Sequence, residues 1–264
     1  MIQEGSKLTI VGLTDVGLVR DHNEDYIAWE LPLGLVLLAD GMGGHNAGEV
    51  ASELAVSCIC EALVDVLRPD MMATGVINFA DALREAVIYA NDEIIRNANE
   101  HLECAGMGTT IVVLLFHGEK VICANVGDSR IYRLRNGNLT QLTTDHSLIQ
   151  EMLDNGFISP EEAQNSTSRN LITRALGIAD VVEVDIKTDL SENGDSYLLC
   201  SDGLTDLATD TEILQLLLLY ERDHETACRE LIAYANEKGG KDNTSVILVG
   251  VQEAYSDSVG LEKD

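Results

Sequence analysis

The chain contains 264 residues, of which 45 are acidic and 17 are basic, so its formal net charge is −28 at neutral pH. A surface this acidic repels phosphate backbones and anionic lipids, which argues against nucleic-acid and membrane binding and favours cations or basic peptides as partners. No basic segment precedes a long apolar stretch at the N-terminus, and the six cysteines form no C-x-x-C pair, so we expect a cytoplasmic protein with reduced thiols.

The apolar periodicity predicts several short strands and four main helices. Helices are predicted at about 46–67, 76–99, 210–219 and 223–237, where apolar residues recur at helical spacing. In chain order, the predicted strands are KLTIVGLTD, GLVLLAD, TTIVVLLFHG, KVICANVGD, RIYRLRNG, VVEVDIKT, DSYLLCSD and TSVILVGV. Hairpin turns at FHGEK and RNGNL join strands without an intervening helix, which favours antiparallel sheets. We therefore predict an α+β fold in which two antiparallel sheets form a sandwich with helices outside.

The chain shows no linker that divides it into separate domains. Residues 145–169 are predicted to form a helix followed by a polar, turn-rich flap, and residues 253–264 are predicted to form a short C-terminal tail. The remaining segments contain no Pro-, Ser- or Gln-rich linker. We therefore predict one domain over residues 1–252.

Four aspartates stand where an apolar strand meets a loop. Asp40, Asp128 and Asp202 follow LVLLA, VICANVG and SYLLCS, and Asp242 precedes TSVILV. If these strands are neighbours in two packed sheets, the carboxylates meet at one edge and repel one another unless cations neutralise them. Carboxylate oxygens without a His or Cys cluster favour Mg²⁺ or Mn²⁺ over zinc, and a pair of such ions is a common device for hydrolysing phosphoesters. Asp-Gly is also the commonest hairpin signal, so each pair alone predicts only a turn.

A second polar cluster lies near the N-terminus, in TDVGLVRDHNEDY. Arg20 is followed there by the acids Asp21, Glu24 and Asp25. The simpler interpretation is a surface salt bridge, which contributes little to stability. The functional interpretation is that Arg20 binds phosphate oxygens while Glu24 and Asp25 hold metal-bound waters. Taken alone, the segment favours the salt bridge.

Together, these motifs resemble the metal-dependent Ser/Thr protein phosphatases of the PPM (PP2C) family in their compact bacterial form. The resemblance extends from about residue 7 to 251. It is carried by TDVGLVRDHNEDY, ADGMGGHNAGEVAS, GMGTT, NVGDSRIYRLRNG, LTTDHS, ITRALG, CSDGLTD and GGKDNTSVILV. It implies a four-layer αββα sandwich, with two antiparallel sheets flanked by helices, a flap subdomain, and one catalytic domain over residues 1–252.

The resemblance also implies roles for the aspartates. Asp40 would bridge two Mn²⁺ or Mg²⁺ ions, the carbonyl group of Gly41 would bind one of them, and Asp202 and Asp242 would bind the other. Asp128 matches the ligand of a third, weaker ion found in bacterial relatives. Asp40, Asp202 and Asp242 are therefore the expected catalytic metal ligands.

Three further acidic or basic positions match the family. Arg20 matches the catalytic arginine that binds phosphate, and Glu24 and Asp25 match the acids that support metal-bound waters. The position of the histidine proposed as general acid in eukaryotic members holds Met42, and His45 is more simply a residue at the start of a helix. The flap carries NSTSRN where relatives often have His-Pro before the arginine, so the conformation of their flaps does not transfer.

The implied function is hydrolysis of phosphoserine and phosphothreonine in proteins by a metal-activated water. The expected partners are phosphorylated proteins, including a Hanks-type kinase and its substrates, and the chain is expected to act as a monomer. Three alternatives remain: a phosphoprotein-binding module without activity, a sigma-factor regulator, and a metal-dependent nuclease. A binding module would normally lack a metal ligand, but Asp40, Asp202 and Asp242 are all present. A sigma-factor regulator would need sensor modules, for which the chain has no room. A nuclease is disfavoured because the acidic charge of the chain repels a polyanionic substrate.

Overall fold

A computed structural model of the chain describes residues 6–44, 47–67, 77–164, 171–221 and 223–253. His45, the end of the predicted flap at 165–169 and residues 254–264 of the predicted tail lie outside the described residues. None of the helices in the described ranges has the length and apolarity that a bilayer crossing requires.

The described strands form two antiparallel sheets. The first sheet has the order β1-β11-β10-β7-β8, and the second has the order β2-β3-β5-β6-β9, with β4 paired to β3. The strands are β1 Ser6–Asp15, β2 Asp25–Glu30, β3 Leu35–Met42, β4 Gly108–Thr109, β5 Ile111–His117, β6 Lys120–Val126, β7 Arg130–Arg135, β8 Asn138–Gln141, β9 Asp185–Leu190, β10 Ser196–Cys200 and β11 Thr244–Glu253.

Seven helices occur in the described residues, beside two single 3-10 turns at 31–33 and 102–104. They are α1 Ala47–Val66, α2 Phe79–Glu100, α3 Leu148–Asp154, α4 Pro160–Gln164, α5 Asp202–Thr205, α6 Asp210–Leu219 and α7 His224–Glu237. The predicted flap therefore contains two short helices, α3 and α4, where one was expected.

Three apolar layers separate four layers of secondary structure. Strand β3 shows the arrangement, because Leu35 and Leu37 face the core beneath α1 and α2, whereas Val36 and Leu38 face the core between the sheets. Both faces of this strand are covered, which explains why its sequence is continuously apolar. A third core joins the outer face of the first sheet to α6 and α7. The predicted four-layer αββα sandwich is confirmed.

The hairpins confirm the antiparallel prediction. Strands β5 and β6 pair directly, as do β7 and β8. At the second of these turns, Asn136 and Gly137 both have positive φ, 51° and 75°. Consecutive residues with positive φ are typical of the tight turns whose twist matches that of the flanking strands.

The boundaries of several elements differ from the prediction. Helix α2 begins at Phe79 because Asn78 caps it, and the Asn78 side chain accepts a hydrogen bond from the Ala80 N–H group at 3.2 Å. Strand β9 begins at Asp185, four residues after the start of the predicted strand VVEVDIKT. Val181, the first residue of the predicted strand, is 86% exposed. Strand β2 was not predicted.

Candidate metal centre

The candidate residues lie at the edge of the sandwich where the chain crosses between the sheets. Residues 16–24 join β1 of the first sheet to β2 of the second, and residues 127–129 join β6 to β7 in the opposite direction. At the same edge, β10 ends beside the start of β11. A Cβ atom at Gly203 would lie only 2.0 Å from the carbonyl oxygen of Asn243, so the segments that carry Asp202 and Asp242 pack closely together.

Two of the carboxylates face each other across neighbouring strands. Asp25, the first residue of β2, is directly opposite Asp40 near the end of β3. Like charges in directly opposed positions destabilise a sheet. The Ser201 hydroxyl group donates a hydrogen bond to Asp25 Oδ2 at 2.8 Å, but Asp25 Oδ1 is buried and has no partner among the described residues. Among the described residues, neither Asp25 nor Asp40 forms an ion pair within 4 Å with a basic side chain.

The pKa values of the acids at this edge are raised by burial and by one another. Burial raises the pKa of Asp40 well above its usual range, and the charges of Asp25 and Asp202 raise it further. The pKa of Asp202 is raised by burial and then by the charge of Asp128. Burial is also the main cause of the raised pKa values of Asp25 and Asp128. The structure thus brings together the four carboxyl groups of Asp25, Asp40, Asp128 and Asp202, and we call this end of the sandwich the carboxylate edge.

The GMGTT segment fixes the backbone of Asp40. The Asp40 N–H group donates a hydrogen bond to Thr110 Oγ1 at 3.1 Å. The Asp40 carbonyl oxygen accepts hydrogen bonds from the Thr109 hydroxyl group and from the Thr110 N–H group, both at 2.9 Å. Both backbone polar groups of Asp40 are therefore satisfied within the protein.

Gly41 is required by the close approach of two other segments. A Cβ atom at this position would lie 2.1 Å from the Gly48 carbonyl oxygen and 2.6 Å from that of Glu24. The Gly41 N–H group donates to the Glu24 carbonyl oxygen at 3.0 Å. Burial raises the pKa of Glu24, and the positive charge of Arg20 partly opposes this rise. Glu24 therefore lies at the same edge as Asp40.

Arg20 is the cation of this edge. Its Nη2 donates a hydrogen bond to Asp242 Oδ2 at 2.6 Å, and its side chain is 50% exposed. The salt bridge that the sequence suggested for Arg20 is present, but its partner is Asp242 and not one of the acids that follow Arg20 in the sequence. The guanidinium group lies beside the carboxylates, and it uses one of its five N–H donors within the described part of the chain.

The donor set fits hard divalent cations. The available ligands are carboxylate and carbonyl oxygens, which Mg²⁺ and Mn²⁺ prefer. Asp25 and Asp128 each present a buried carboxylate oxygen that has no hydrogen-bond partner among the described residues. Within those residues, no three His, Cys, Asp or Glu side chains already surround one point as a bound ion requires.

Comparison with known proteins identifies the family of the chain. The family model for protein phosphatase 2C matches residues 19–243. The chain belongs to the protein phosphatase 2C family. The PP2C match spans every candidate site residue, from Arg20 to Asp242, which confirms the resemblance inferred from the motifs.

Relatives and solved structures agree with this PP2C assignment. The serine/threonine phosphatase stp of Listeria monocytogenes is 40% identical over 242 residues, covering 89% of this chain and 93% of that protein. A crystal structure of the Mycobacterium tuberculosis serine/threonine phosphatase PstP has a TM-score of 0.84, is 38% identical, and covers 93% of this chain and 99% of that chain. The PstP catalytic domain in complex with two manganese ions has a TM-score of 0.82 and is 37% identical, with coverages of 94% and 99%.

The carboxylate edge also contains Asn243, which was not predicted as a site residue from the sequence. Its buried Nδ2 donates to the carbonyl oxygens of Val16 and His22 at 2.9 and 2.8 Å, and its Oδ1 accepts from the Glu24 N–H group at 2.8 Å. Asn243 therefore ties the Arg20 loop to the segment that carries Asp242. The only signal in the sequence was its place directly after Asp242.

His146 was also missed, although its motif LTTDHS was noted. Its ring Nδ1 accepts a hydrogen bond from the Gly127 N–H group at 3.1 Å, and the backbone N–H group of His146 donates to the Gly127 carbonyl oxygen at 2.9 Å. The ring therefore fixes the residue that precedes Asp128. On the other side of Asp128, the hydroxyl groups of Ser129 and Thr110 are hydrogen-bonded at 2.8 Å.

Proposed function

We propose that this PP2C-family enzyme hydrolyses phosphoserine and phosphothreonine in proteins at the carboxylate edge. The observation that carries the proposal is the convergence of mutually repelling carboxyl groups, of which Asp25 and Asp128 are buried, at one end of the sandwich. The manganese-containing structure of the related PstP catalytic domain supports a metal-dependent reaction. The proposal therefore gives the repelling carboxylates a purpose, namely to bind divalent cations.

We assign the metal ligands by their positions at this edge. Asp40 would bridge two Mn²⁺ or Mg²⁺ ions, with the carbonyl group of Gly41 on one ion and Asp202 and Asp242 on the other. Asp128 would bind a third ion. When bound, such ions supply a hydroxide near neutral pH and neutralise charge on the phosphoryl group.

The residues around the ligands would orient substrate and water. Arg20 would bind phosphate oxygens with the N–H groups that it does not share with Asp242, since a guanidinium fork matches phosphate geometry. Glu24 and Asp25 would accept hydrogen bonds from waters at the ions, and this role gives the unpartnered Asp25 Oδ1 a donor. The backbone hydrogen bonds from Thr109 and Thr110 would hold Asp40 in place.

We also propose the context of the reaction. Residues 1–252 would form one catalytic domain with its flap, acting as a monomer in the cytoplasm. The substrates would be phosphorylated proteins, including a Hanks-type kinase and its targets. The relatives are named serine/threonine phosphatases, which supports phosphorylated proteins as the class of substrate.

Phosphate release from a phosphothreonine peptide tests the proposed function. The purified protein is assayed with Mn²⁺, with Mg²⁺ and with EDTA. We expect release that requires a divalent cation and that EDTA abolishes. A folded protein that releases no phosphate under any of these conditions would contradict the proposal and favour a phosphoprotein-binding module.

A further inference from the structure

Thr110 lies between two segments that carry proposed ion ligands. It directly precedes β5, which pairs with β3 on one side and with β6 on the other. Asp40 belongs to β3, and the turn of residues 127–129, which carries Asp128, follows β6 directly. A single threonine therefore has Asp40 on one side and the Asp128 turn on the other.

The hydroxyl group of Thr110 joins these two segments. Its Oγ1 accepts a hydrogen bond from the Asp40 N–H group at 3.1 Å, and it is hydrogen-bonded to Ser129 Oγ at 2.8 Å. Thr110 and Ser129 are only 1% and 0% exposed, so neither hydroxyl group can turn to bulk water instead. A hydroxyl group has one proton and two lone pairs, which is enough for both bonds at once. We call these two hydrogen bonds the Thr110 bridge.

The side chain of Thr110 also supports the 127–129 turn by direct packing. Gly127 has a φ of 112°, a backbone conformation that favours glycine. A Cβ atom at Gly127 would lie 2.6 Å from both Cβ and Cγ2 of Thr110, so the backbone of the turn rests on this side chain. Thr110 therefore contacts the turn through its methyl group as well as through its hydroxyl group.

The two segments that the bridge joins carry carboxylates that repel each other. Burial is the largest cause of the raised pKa of Asp40, and the charges of Asp25, Asp202 and Asp128 raise it further. Repulsion between Asp40 and Asp128 favours arrangements in which their segments move apart. A link through one buried side chain opposes this movement and holds the two carboxylates in a defined arrangement. Such preorganisation lowers the ordering cost of binding a ligand.

We propose that Thr110 is a positioning residue that couples the ion site at Asp40 to the ion site at Asp128. An ion held by Asp128 fixes the 127–129 turn, and the Thr110 bridge passes this constraint to Asp40. Each site therefore binds its ion more tightly when the other site is occupied, because coupling between two sites is reciprocal. This role rests on the proposed metal-dependent function, and Thr110 acts in it through other residues.

Thr109 offers a matched control for this role. Its side chain is 0% exposed, and its hydroxyl group donates a hydrogen bond to the Asp40 carbonyl oxygen at 2.9 Å. Its other acceptor is the Thr110 carbonyl oxygen, and within the described ranges its hydroxyl group makes no hydrogen bond to the 127–129 turn. Thr109→Val and Thr110→Val each remove one buried hydroxyl group that holds Asp40, but only Thr110→Val removes the bridge.

Two double-mutant cycles measure the coupling. Each valine variant is combined with Asp128→Asn, and calorimetric titration of the metal-free proteins with Mn²⁺ gives the affinity of the ions that remain. The loss of the Asp128 charge is common to both cycles, so the difference between them isolates the bridge. We expect the weakening caused by Asp128→Asn to be about fivefold smaller in the Thr110→Val background than in the wild type, and unchanged in the Thr109→Val background.

A conservative variant separates the hydroxyl group from the packing of Thr110. Thr110→Ser keeps the hydroxyl group, whereas Thr110→Val keeps the methyl group against Gly127. We expect Thr110→Val to raise the Kd for Mn²⁺ by about fivefold or more, and Thr110→Ser to stay within about twofold of the wild type. A role in packing alone would give the opposite order. At saturating Mn²⁺, Thr110→Val should lower kcat on a phosphothreonine peptide with nearly unchanged KM, because Arg20 is the residue assigned to phosphate oxygens.

The outcomes separate this role from the proposed function. Equal effects of Asp128→Asn in the Thr110→Val and Thr109→Val backgrounds would overturn the coupling, and so would a Thr110→Ser variant that binds Mn²⁺ as weakly as Thr110→Val. If circular dichroism shows that Thr110→Val does not fold, Ser129→Ala removes the bridge from its other end and takes its place in the cycle. If the wild type neither binds Mn²⁺ nor hydrolyses the peptide, the proposed function itself fails, and the coupling fails with it.

Discussion

An aspartate lies at each end of strand β10, Asp195 before it and Asp202 after it, but the two carboxylates have opposite environments. At the start of the strand, Asp195 is 1% exposed and accepts hydrogen bonds from Arg135 Nε and Nη2 at 2.7 and 2.6 Å. It also accepts from the Glu192 N–H group at 2.8 Å. At the other end, Asp202 follows the strand and is surrounded by other carboxyl groups. The comparison separates a buried carboxylate that is paired with an arginine from one that we propose as a metal ligand.

The difference in partners indicates how to recognise a functional acid in a highly acidic protein. Burial alone does not distinguish Asp195 from Asp25, because both are less than a tenth exposed. The partners do distinguish them, since Asp195 faces a guanidinium group whereas Asp25 faces Asp40 across a strand pair.

Replacing the proposed bridging ligand should have the largest effect. We expect Asp40→Asn to lower kcat on a phosphothreonine peptide by about a thousandfold, because it removes a charge that would hold the ions in the reaction site. Without metal, the same variant should be no less stable than the wild type, since it removes one charge from a repelling group. Steady-state kinetics and denaturant unfolding in EDTA measure the two effects. Wild-type turnover by Asp40→Asn would show that the edge is not the reaction site.

Replacing Asp195 should have the opposite pattern of effects, with lower stability and nearly unchanged turnover. We expect Asp195→Asn to lower the free energy of unfolding by about 2 kcal/mol, because the charge-assisted hydrogen bonds between Arg135 and the buried Asp195 are weakened, while Arg135 keeps its ion pair with Glu192. Turnover by the folded enzyme should be almost unchanged. Urea unfolding followed by circular dichroism gives the stability, and Glu225→Gln is an exposed control. A stable Asp195→Asn variant with impaired turnover would reverse the roles assigned to the two ends.

Replacing the cation of the carboxylate edge should mainly weaken substrate binding. We expect Arg20→Ala to raise KM by about tenfold, with a smaller change in kcat, because Arg20 is assigned to phosphate oxygens rather than to the ions. Arg20→Lys keeps the charge but loses the fork, so its KM should be intermediate. Initial rates across a range of peptide concentrations provide both constants. An unchanged KM for Arg20→Ala would leave Arg20 only as the partner of Asp242.

The smallest expected effect concerns pH at the structural end of β10. His224 Nε2 lies 3.5 Å from Ser196 Oγ, and burial lowers the pKa of this histidine below 6.5, with Asp223 partly opposing the shift. Because the unfolded state then binds a proton more readily, stability should fall as the pH is lowered through 6.5 and should level off below the folded pKa. Thermal melts at several pH values compare the wild type with His224→Gln, which should lack this component. An identical pH dependence in both proteins would exclude His224 as its source.

The fold was largely predictable because its strands have strong local signals. The apolar run of β3 and the Asn136-Gly137 turn each carry their structure in neighbouring residues. Strand β2 and the position of β9 were missed because both strands lie at sheet edges. Short and partly exposed edge strands show weak apolar alternation, so pairing with a neighbour decides where they begin.

The candidate site was predictable in part for the same reason. Asp40 lies near the end of the apolar strand β3 and Asp202 lies just after β10, so their placement follows from the strands themselves. The opposition of Asp25 to Asp40 depends on strand register, and the bridging hydrogen bonds of Asn243 join segments more than 200 positions apart. A single sequence contains no local signal for such contacts. The roles of the individual ligands remain predictions.

Calorimetric titration of the metal-free protein with Mn²⁺ tests the metal centre most directly. We expect the wild type to bind at least two ions per chain and Asp40→Asn to lose this binding, while Asp195→Asn and Glu225→Gln keep it. The same stoichiometry and affinity in Asp40→Asn and in the wild type would contradict the assignment of the carboxylate edge as the metal centre.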